Sequence, residues 1–236
     1  MKLFISCFFG LLFTAQAYAQ LLIAPTRFVL DADTSVTEKI VVENNSNEPI
    51  RLEIKPIYRS VKASGLVRTD AKIAESENIA DWIKVSPPII RELKPNQRRT
   101  VRLRMNALPA DMPDGEYRAY LWFSPIAKAP EASPPDLSRK VRSNNGSAFQ
   151  LNFHINSYVP VYVQKGEEVQ DVKFECDEQN LKITNDGKFQ FSAKLNVDEH
   201  SEKVVLLRNA ELTKSLPKGS KISLVQNDES LHECVL

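Results

Sequence analysis

The sequence predicts an all-β protein built from sandwich or barrel domains. Three observations carry that expectation. Short runs alternate apolar and charged residues, as in Arg51-Leu52-Glu53-Ile54-Lys55 and Val101-Arg102-Leu103-Arg104-Met105. That is the period of a half-buried strand. Turn-forming clusters separate such runs, among them Asn44-Asn45-Ser46-Asn47 and Met112-Pro113-Asp114-Gly115, and many short strands between turns mark sandwiches and barrels. No segment sustains a helical period, apart from a weak one around 73–80.

Composition narrows the class. The chain has 236 residues, 42% hydrophobic and 26% charged, so it can bury a sizeable core and is not wholly disordered. Its 31 basic and 30 acidic residues nearly cancel, which argues against a globally basic nucleic-acid binder. The 7 glycines and 14 prolines rule out collagen-like and Gly-linker readings.

The first segment reads as a leader and not as part of the fold. Lys2 precedes an apolar run from Leu3 to Phe13, and Ala17-Tyr18-Ala19 supplies small residues for cleavage. These are the marks of an export signal over 1–19, with the cut before Gln20. The run is short for a bilayer span, and no later stretch is apolar for long enough. The expected product is an exported, soluble protein without membrane insertion. Cys176 and Cys234 remain after cleavage, and an even count in an oxidising compartment favours a disulfide between them. Ligand spacings do not suit a structural metal, because His154, His200 and His232 are scattered.

Taken in order, the expected strands are 27–30, 37–43, 50–56, 82–85, 89–93, 100–105 and 116–123. Residues 124–147 (SPIAKAPEASPPDLSRKVRSNNGS) break the rhythm and read as a long loop. Loops of that length are commonly functional. Next comes a strand over 148–163, in which Phe149, Leu151, Phe153 and Ile155 alternate with polar residues. Such an apolar row is either a core face or an edge offered to another protein, and Pro160 favours an edge or a strand end. Lys165-Gly166-Glu167-Glu168 looks like a hinge. A second all-β domain follows, with strands expected at 169–175, 181–185, 189–197, 204–207 and 221–225, and Asn185-Asp186-Gly187 as a hairpin turn. Arg91, Arg98, Arg99, Arg102 and Arg104 form a basic cluster that reads as a solvated face. There is no Gly-rich phosphate loop and no GxSxG, so no enzyme and no cofactor are indicated.

The order of several motifs carries a resemblance. Pro25-Thr26-Arg27-Phe28 is followed by VVENNSNEP at 41–49, by Ser86-Pro87-Pro88, by Leu93-Lys94-Pro95-Asn96-Gln97 and by Asp114-Gly115-Glu116-Tyr117-Arg118. The alternating strand and Tyr158-Val159-Pro160-Val161-Tyr162-Val163 close the series. In that order the chain resembles the periplasmic pilus (fimbrial) chaperones of the PapD-like type. The resemblance implies two immunoglobulin-like β-sandwich domains set at an angle with a cleft between them. The N-terminal domain would span 20–163 and the C-terminal domain 164–236. It implies a chaperone that lends an edge strand to pilus subunits and delivers them to an outer-membrane usher. Phe149, Leu151, Phe153 and Ile155 would fill the groove of the subunit. Arg27 would anchor the subunit's C-terminal carboxylate, and Tyr158 stands where the family carries a second, basic anchor. Arg102 and Glu116 would form an ion pair locking the domains. Without a subunit, self-association through the donor strand is a further expectation. The alternative is a periplasmic adhesion or scaffold protein that uses the same two domains without lending a strand.

Overall fold

The computed structural model describes residues 21–64, 76–126 and 155–236. The leader at 1–19, residues 127–147 of the expected loop, and Phe149, Leu151 and Phe153 of the expected donor row lie outside the described residues.

Two β-sandwiches make up the described chain. The first begins with β1 (Leu21–Ala24), passes a cis Ala24–Pro25 bond, and resumes as β2 (Phe28–Asp31). There follow β3 (Val36–Asn44), β4 (Ile50–Ile57), a 3-10 turn at Ala80–Trp82, β5 (Ile83–Ser86) and β6 (Ile89–Leu93). β7 (Arg98–Met105), β8 (Gly115–Ile126) and β9 (Ser157–Lys165) complete it. One sheet has the order β1-β3-β7-β5 and the other β2-β9-β8-β4-β6. The sequence predicted one first strand at 27–30. The structure has two, because the chain changes sheets at Pro25: β1 pairs antiparallel with β3, whereas β2 pairs parallel with β9.

Alternation places the core where it was expected. Ile40, Val42, Leu52, Ile54, Val101, Leu103 and Met105 are buried between the sheets with Leu121, Phe123, Val159, Val161 and Val163. Each such side chain contributes about 1.5–3 kcal/mol by leaving water. The intervening residues, including Lys39, Arg102 and Arg104, point to solvent. β8 runs further than expected. Ser124, Pro125 and Ile126, assigned above to the loop, remain paired with Glu53, Leu52 and Arg51 of β4. The partner strand is available that far, and its ladder outweighs the turn preference of Ser-Pro.

The second sandwich contains β10 (Val172–Cys176), β11 (Asn180–Asn185), β12 (Phe191–Val197) and β13 (His200–Leu206). It continues with β14 (Ala210–Ser215), β15 (Lys221–Gln226) and β16 (Glu229–Val235). Its sheets have the orders β10-β11-β14 and β13-β12-β15-β16. Leu181, Ile183, Phe191, Leu195, Ile222 and Leu224 fill the space between them. β14 and β16 were not expected, because almost every residue of β16 is exposed and β14 (AELTKS) has few large apolar residues. The Cys176–Cys234 disulfide joins β10 of one sheet to β16 of the other.

The Asn185-Asp186-Gly187 turn needs correction. It is not a hairpin, since β11 and β12 belong to different sheets. Asn185 is buried, and its side-chain amide donates to the carbonyls of Phe189 (2.8 Å), Leu206 (3.2 Å) and Leu207 (3.1 Å). Its Oδ1 accepts from the Gly187 N–H at 3.0 Å. The residue therefore ties a corner between sheets, supplying partners that backbone groups at a sheet edge would otherwise lack.

β9 runs past the boundary expected at 163, to Lys165. Gly166 then turns the chain out with φ +75. A side chain there would push the Asp114 carboxylate aside, and the left-handed φ favours glycine.

Candidate functional site

β9 is paired unequally on its two sides. β8 accompanies it from Phe123 opposite Ser157 to Gly115 opposite Lys165. β2 pairs with it only from Phe28 opposite Val161 to Asp31 opposite Gln164. The first half of β9, Ser157 to Pro160, thus has no strand on its β2 side among the described residues. An unpaired edge offers free backbone donors and acceptors to any incoming strand. Pro160, which lacks an N–H, sits directly before the point where β2 takes up the ladder. Ile155, the described member of the expected donor row, precedes this half-edge and is 68% exposed. It shares the odd-numbered phase of Val159, Val161 and Val163, which are buried in the sandwich.

The even-numbered residues of β9 build the outer face. Tyr158 lies opposite Trp122, Pro160 opposite Tyr120 and Tyr162 opposite Arg118. The Tyr120 and Tyr158 rings meet edge to face with centroids 6.5 Å apart, an arrangement favoured by the ring quadrupoles. Lys55 Nζ stands 4.2 Å from the centre of the Trp122 ring. Burial raises the Tyr120 and Tyr162 hydroxyls above the ordinary tyrosine value, and Arg118 opposes this at both. They stay neutral at physiological pH.

Arg27 reaches this face from the residue before β2. Its guanidinium lies 5.0 Å from the Tyr162 ring centre, and Nη2 donates to Gln190 Oε1 at 2.7 Å. Arg27 and Tyr158 were expected to act together, but the ring that Arg27 covers is Tyr162, while Tyr158 packs on Tyr120. The parallel register explains the difference, because Phe28 opposite Val161 sets Arg27 level with Pro160, beyond Tyr158 along the strand. Lys165, the next base along β9, is buried and pairs with Asp33 at 3.6 Å.

The expected Arg102–Glu116 ion pair does not form. Arg102 is exposed on β7, opposite Lys39 and Ser86, whereas Glu116 is buried on β8 in the other sheet. Gln164 Nε2 donates to Glu116 at 3.2 Å. Burial raises the Glu116 carboxyl above the usual glutamate value, and Gln164, Arg118 and Arg27 oppose that rise.

Other groups join the domains. The Glu116 N–H donates to the Lys188 carbonyl at 3.0 Å, and Arg208 Nη1 donates to the Glu116 carbonyl at 3.3 Å. Glu77 lies between two arginines, with Arg118 Nη2 at 2.6 Å and Arg208 Nε at 3.6 Å. The Tyr58 hydroxyl donates to the same carboxylate at 2.7 Å. Burial pulls Arg118 down, but Glu77 and Tyr58 outweigh it and hold the guanidinium above its ordinary value. Sequence reading missed this group because Glu77, Arg118 and Arg208 share no motif and meet only in the folded chain.

Elsewhere, Arg98 pairs with Glu43 at 2.7 Å, and Arg91, Arg99, Arg102 and Arg104 are exposed, as a solvated face requires. His232 stacks on Phe174 with centroids 5.2 Å apart, beside the disulfide. Among the described residues no group of His, Cys, Asp or Glu could hold a metal, and no helix is long and apolar enough to cross a membrane.

Neither a protein-family model nor a curated sequence matches the chain. Solved structures do. The Salmonella enterica SafB chaperone, in complex with the SafA pilin, aligns with TM-score 0.53 at 18% identity, covering 94% of this chain and 99% of that one. The E. coli chaperone DraB aligns with TM-score 0.52 at 16% identity, covering 92% and 96%. The periplasmic chaperone SfaE aligns with TM-score 0.51 at 13% identity, covering 91% and 98%. The chain has the two-domain all-β fold of these chaperones.

Proposed function

We propose that this protein is a periplasmic chaperone that holds pilus or fimbrial subunits by lending them the strand that runs into β9, and that passes them to an outer-membrane usher. The half-paired edge of β9 carries the reading. Among the described residues, 157–160 have a neighbour strand on one side, and exposed Ile155 stands at their head. The apolar positions Phe149, Leu151 and Phe153 precede Ile155 at the same two-residue spacing. A partner lacking one strand gains a ladder from the backbone and a row of side chains from this sequence. Its own exposed groove would otherwise promote aggregation.

Arg27 is the proposed anchor for the subunit's terminal carboxylate. It stands beside the open half of β9, and a guanidinium can grip a carboxylate with two hydrogen bonds. Tyr162 and Gln190 orient it from the two domains. Tyr158 contributes to the aromatic face and does not pair with Arg27. No ATP or cofactor enters this scheme. The leader and the Cys176–Cys234 bridge suit an oxidising, extracytoplasmic setting.

Affinity capture from the periplasm tests the proposal. Wild-type protein is expected to retain a small β-rich subunit, and a soluble, folded Leu151→Asp variant to lose it. Retention of the same partner by both proteins, or unfolding of the variant, would favour the scaffold alternative.

A further inference from the structure

The C-terminal domain presents an unusual pairing on the outer face of its β13-β12-β15-β16 sheet. Lys194 of β12 and Lys203 of β13 are direct cross-strand partners, and both are exposed. Like charges directly opposed in this way destabilise a sheet. Neither lysine has an acidic partner among the described residues. The adjacent Glu202 is paired instead with Lys214 at 2.5 Å. Acidic residues outnumber basic ones over 166–236, so compensating acids are abundant in the domain and yet stand elsewhere.

The location of Lys203 suggests a use for this arrangement. Three depressions share its side chain as a border. The first is lined also by Lys194, Glu202, Ser192, Ser201 and Gln226. The second reaches across to Arg27, Gln164 and Gln190, and Glu168 lines it too. The third includes Tyr162 and Val205. Lys203 therefore borders both the depression that Arg27 lines and the one that Tyr162 lines, from the opposite domain.

We propose that the Lys194–Lys203 rung is a second docking point for the partner held at β9, and that it receives an Asp or Glu side chain of that subunit. The inference rests on the strand-lending reading. A partner seated along the open half of β9 occupies the space in front of Arg27 and Tyr162, and Lys203 bounds that space. Cross-strand partners stand about 5 Å apart at Cβ, close enough for two ammonium groups to share one carboxylate. Ser192, Ser201 and Gln226 border the same depression and supply further donors. Repulsion in the free protein is relieved when the carboxylate arrives, so stability and binding oppose each other here.

That opposition makes the test specific. The captured subunit is titrated into full-length wild type, Lys203→Gln, Lys203→Arg and Leu151→Asp at low and high salt, and each free protein is melted. Lys203→Gln is expected to weaken binding about tenfold and to flatten its salt dependence. Its free form should melt no lower than wild type, and Lys203→Arg should bind as wild type does. Wild-type affinity and salt dependence in Lys203→Gln would overturn the inference, as would a lowered melting temperature in that variant. Failure of the underlying reading looks different, since Leu151→Asp would then bind like wild type.

Discussion

Asn44 ends β3 in the N-terminal sandwich, and Asn185 ends β11 in the C-terminal one. Both are buried, and both donate to the carbonyl of the fourth residue onward, Glu48 and Phe189. Both accept from the N–H of the second residue onward, Ser46 and Gly187. Each also reaches a carbonyl distant in sequence, Leu93 or Leu206. The two domains thus cross between sheets with one device. They differ in how they treat their flanks. The smaller domain ties β10 to β16 with a disulfide. The N-terminal domain has no cysteine available beyond the leader and, among the described residues, leaves the first half of β9 without a strand on its β2 side. The contrast separates what folding requires from what binding requires. Corners need satisfied carbonyls in either domain, whereas the open half of β9 has a use only in the strand-lending proposal.

Replacing Cys176 and Cys234 by serine should have the largest effect. The bridge closes a sequence separation of 58, and the chain-entropy relation gives about 4 kcal/mol for a loop of that size. Calorimetry should show a C-terminal transition moving to low temperature while the N-terminal one stays. A shared shift of both would mean the domains do not melt independently.

The asparagine variants come next. Asn44→Ala and Asn185→Ala each strip buried carbonyls of their donor, and each should cost about 3 kcal/mol. Urea denaturation of the two variants checks whether the corners are equivalent. A neutral result for one of them would end the parallel. Arg208→Ala is a smaller change, because Glu77 keeps Arg118 and Tyr58 as partners. A loss of about 1–2 kcal/mol is expected, with the domain transitions drawn apart.

Glu116→Gln should act in the opposite direction. The carboxyl is raised mainly by burial, so the folded state holds its proton more tightly than the unfolded state. The penalty is absent below the ordinary glutamate value, grows as pH rises towards the raised one, and is complete above it. The variant should therefore melt higher than wild type at neutral pH, with the gain vanishing in acid. Melting curves across that range decide the point, and a constant difference would show that charge is not the cause.

Much of this architecture was legible in the sequence because alternation reports burial directly. Ile89–Leu93 was read with its observed limits, and β3, β4 and β7 within a residue or two. β16 escaped because its residues are almost all exposed, leaving no apolar period to read. The Asn185 turn was misassigned because its residue types fit a hairpin, and only the sheet order shows that the chain crosses between layers. Locally, Pro160 lies in β9 and Ile155 just before it, within the stretch read as one strand over 148–163, and Arg27 stands one residue before β2, where a strand from 27 was read. Pairings across the fold were not, since the partners of Arg27 and Glu116 depend on strand register and domain contact.

Hydrogen exchange on the free and subunit-bound protein reads whether the open half of β9 is lent to another chain. The account predicts new protection at backbone amides from Ile155 to Val159, with little change at 161–164, where β2 already pairs. Subunit binding that leaves 155–159 exchanging as in the free protein would contradict it.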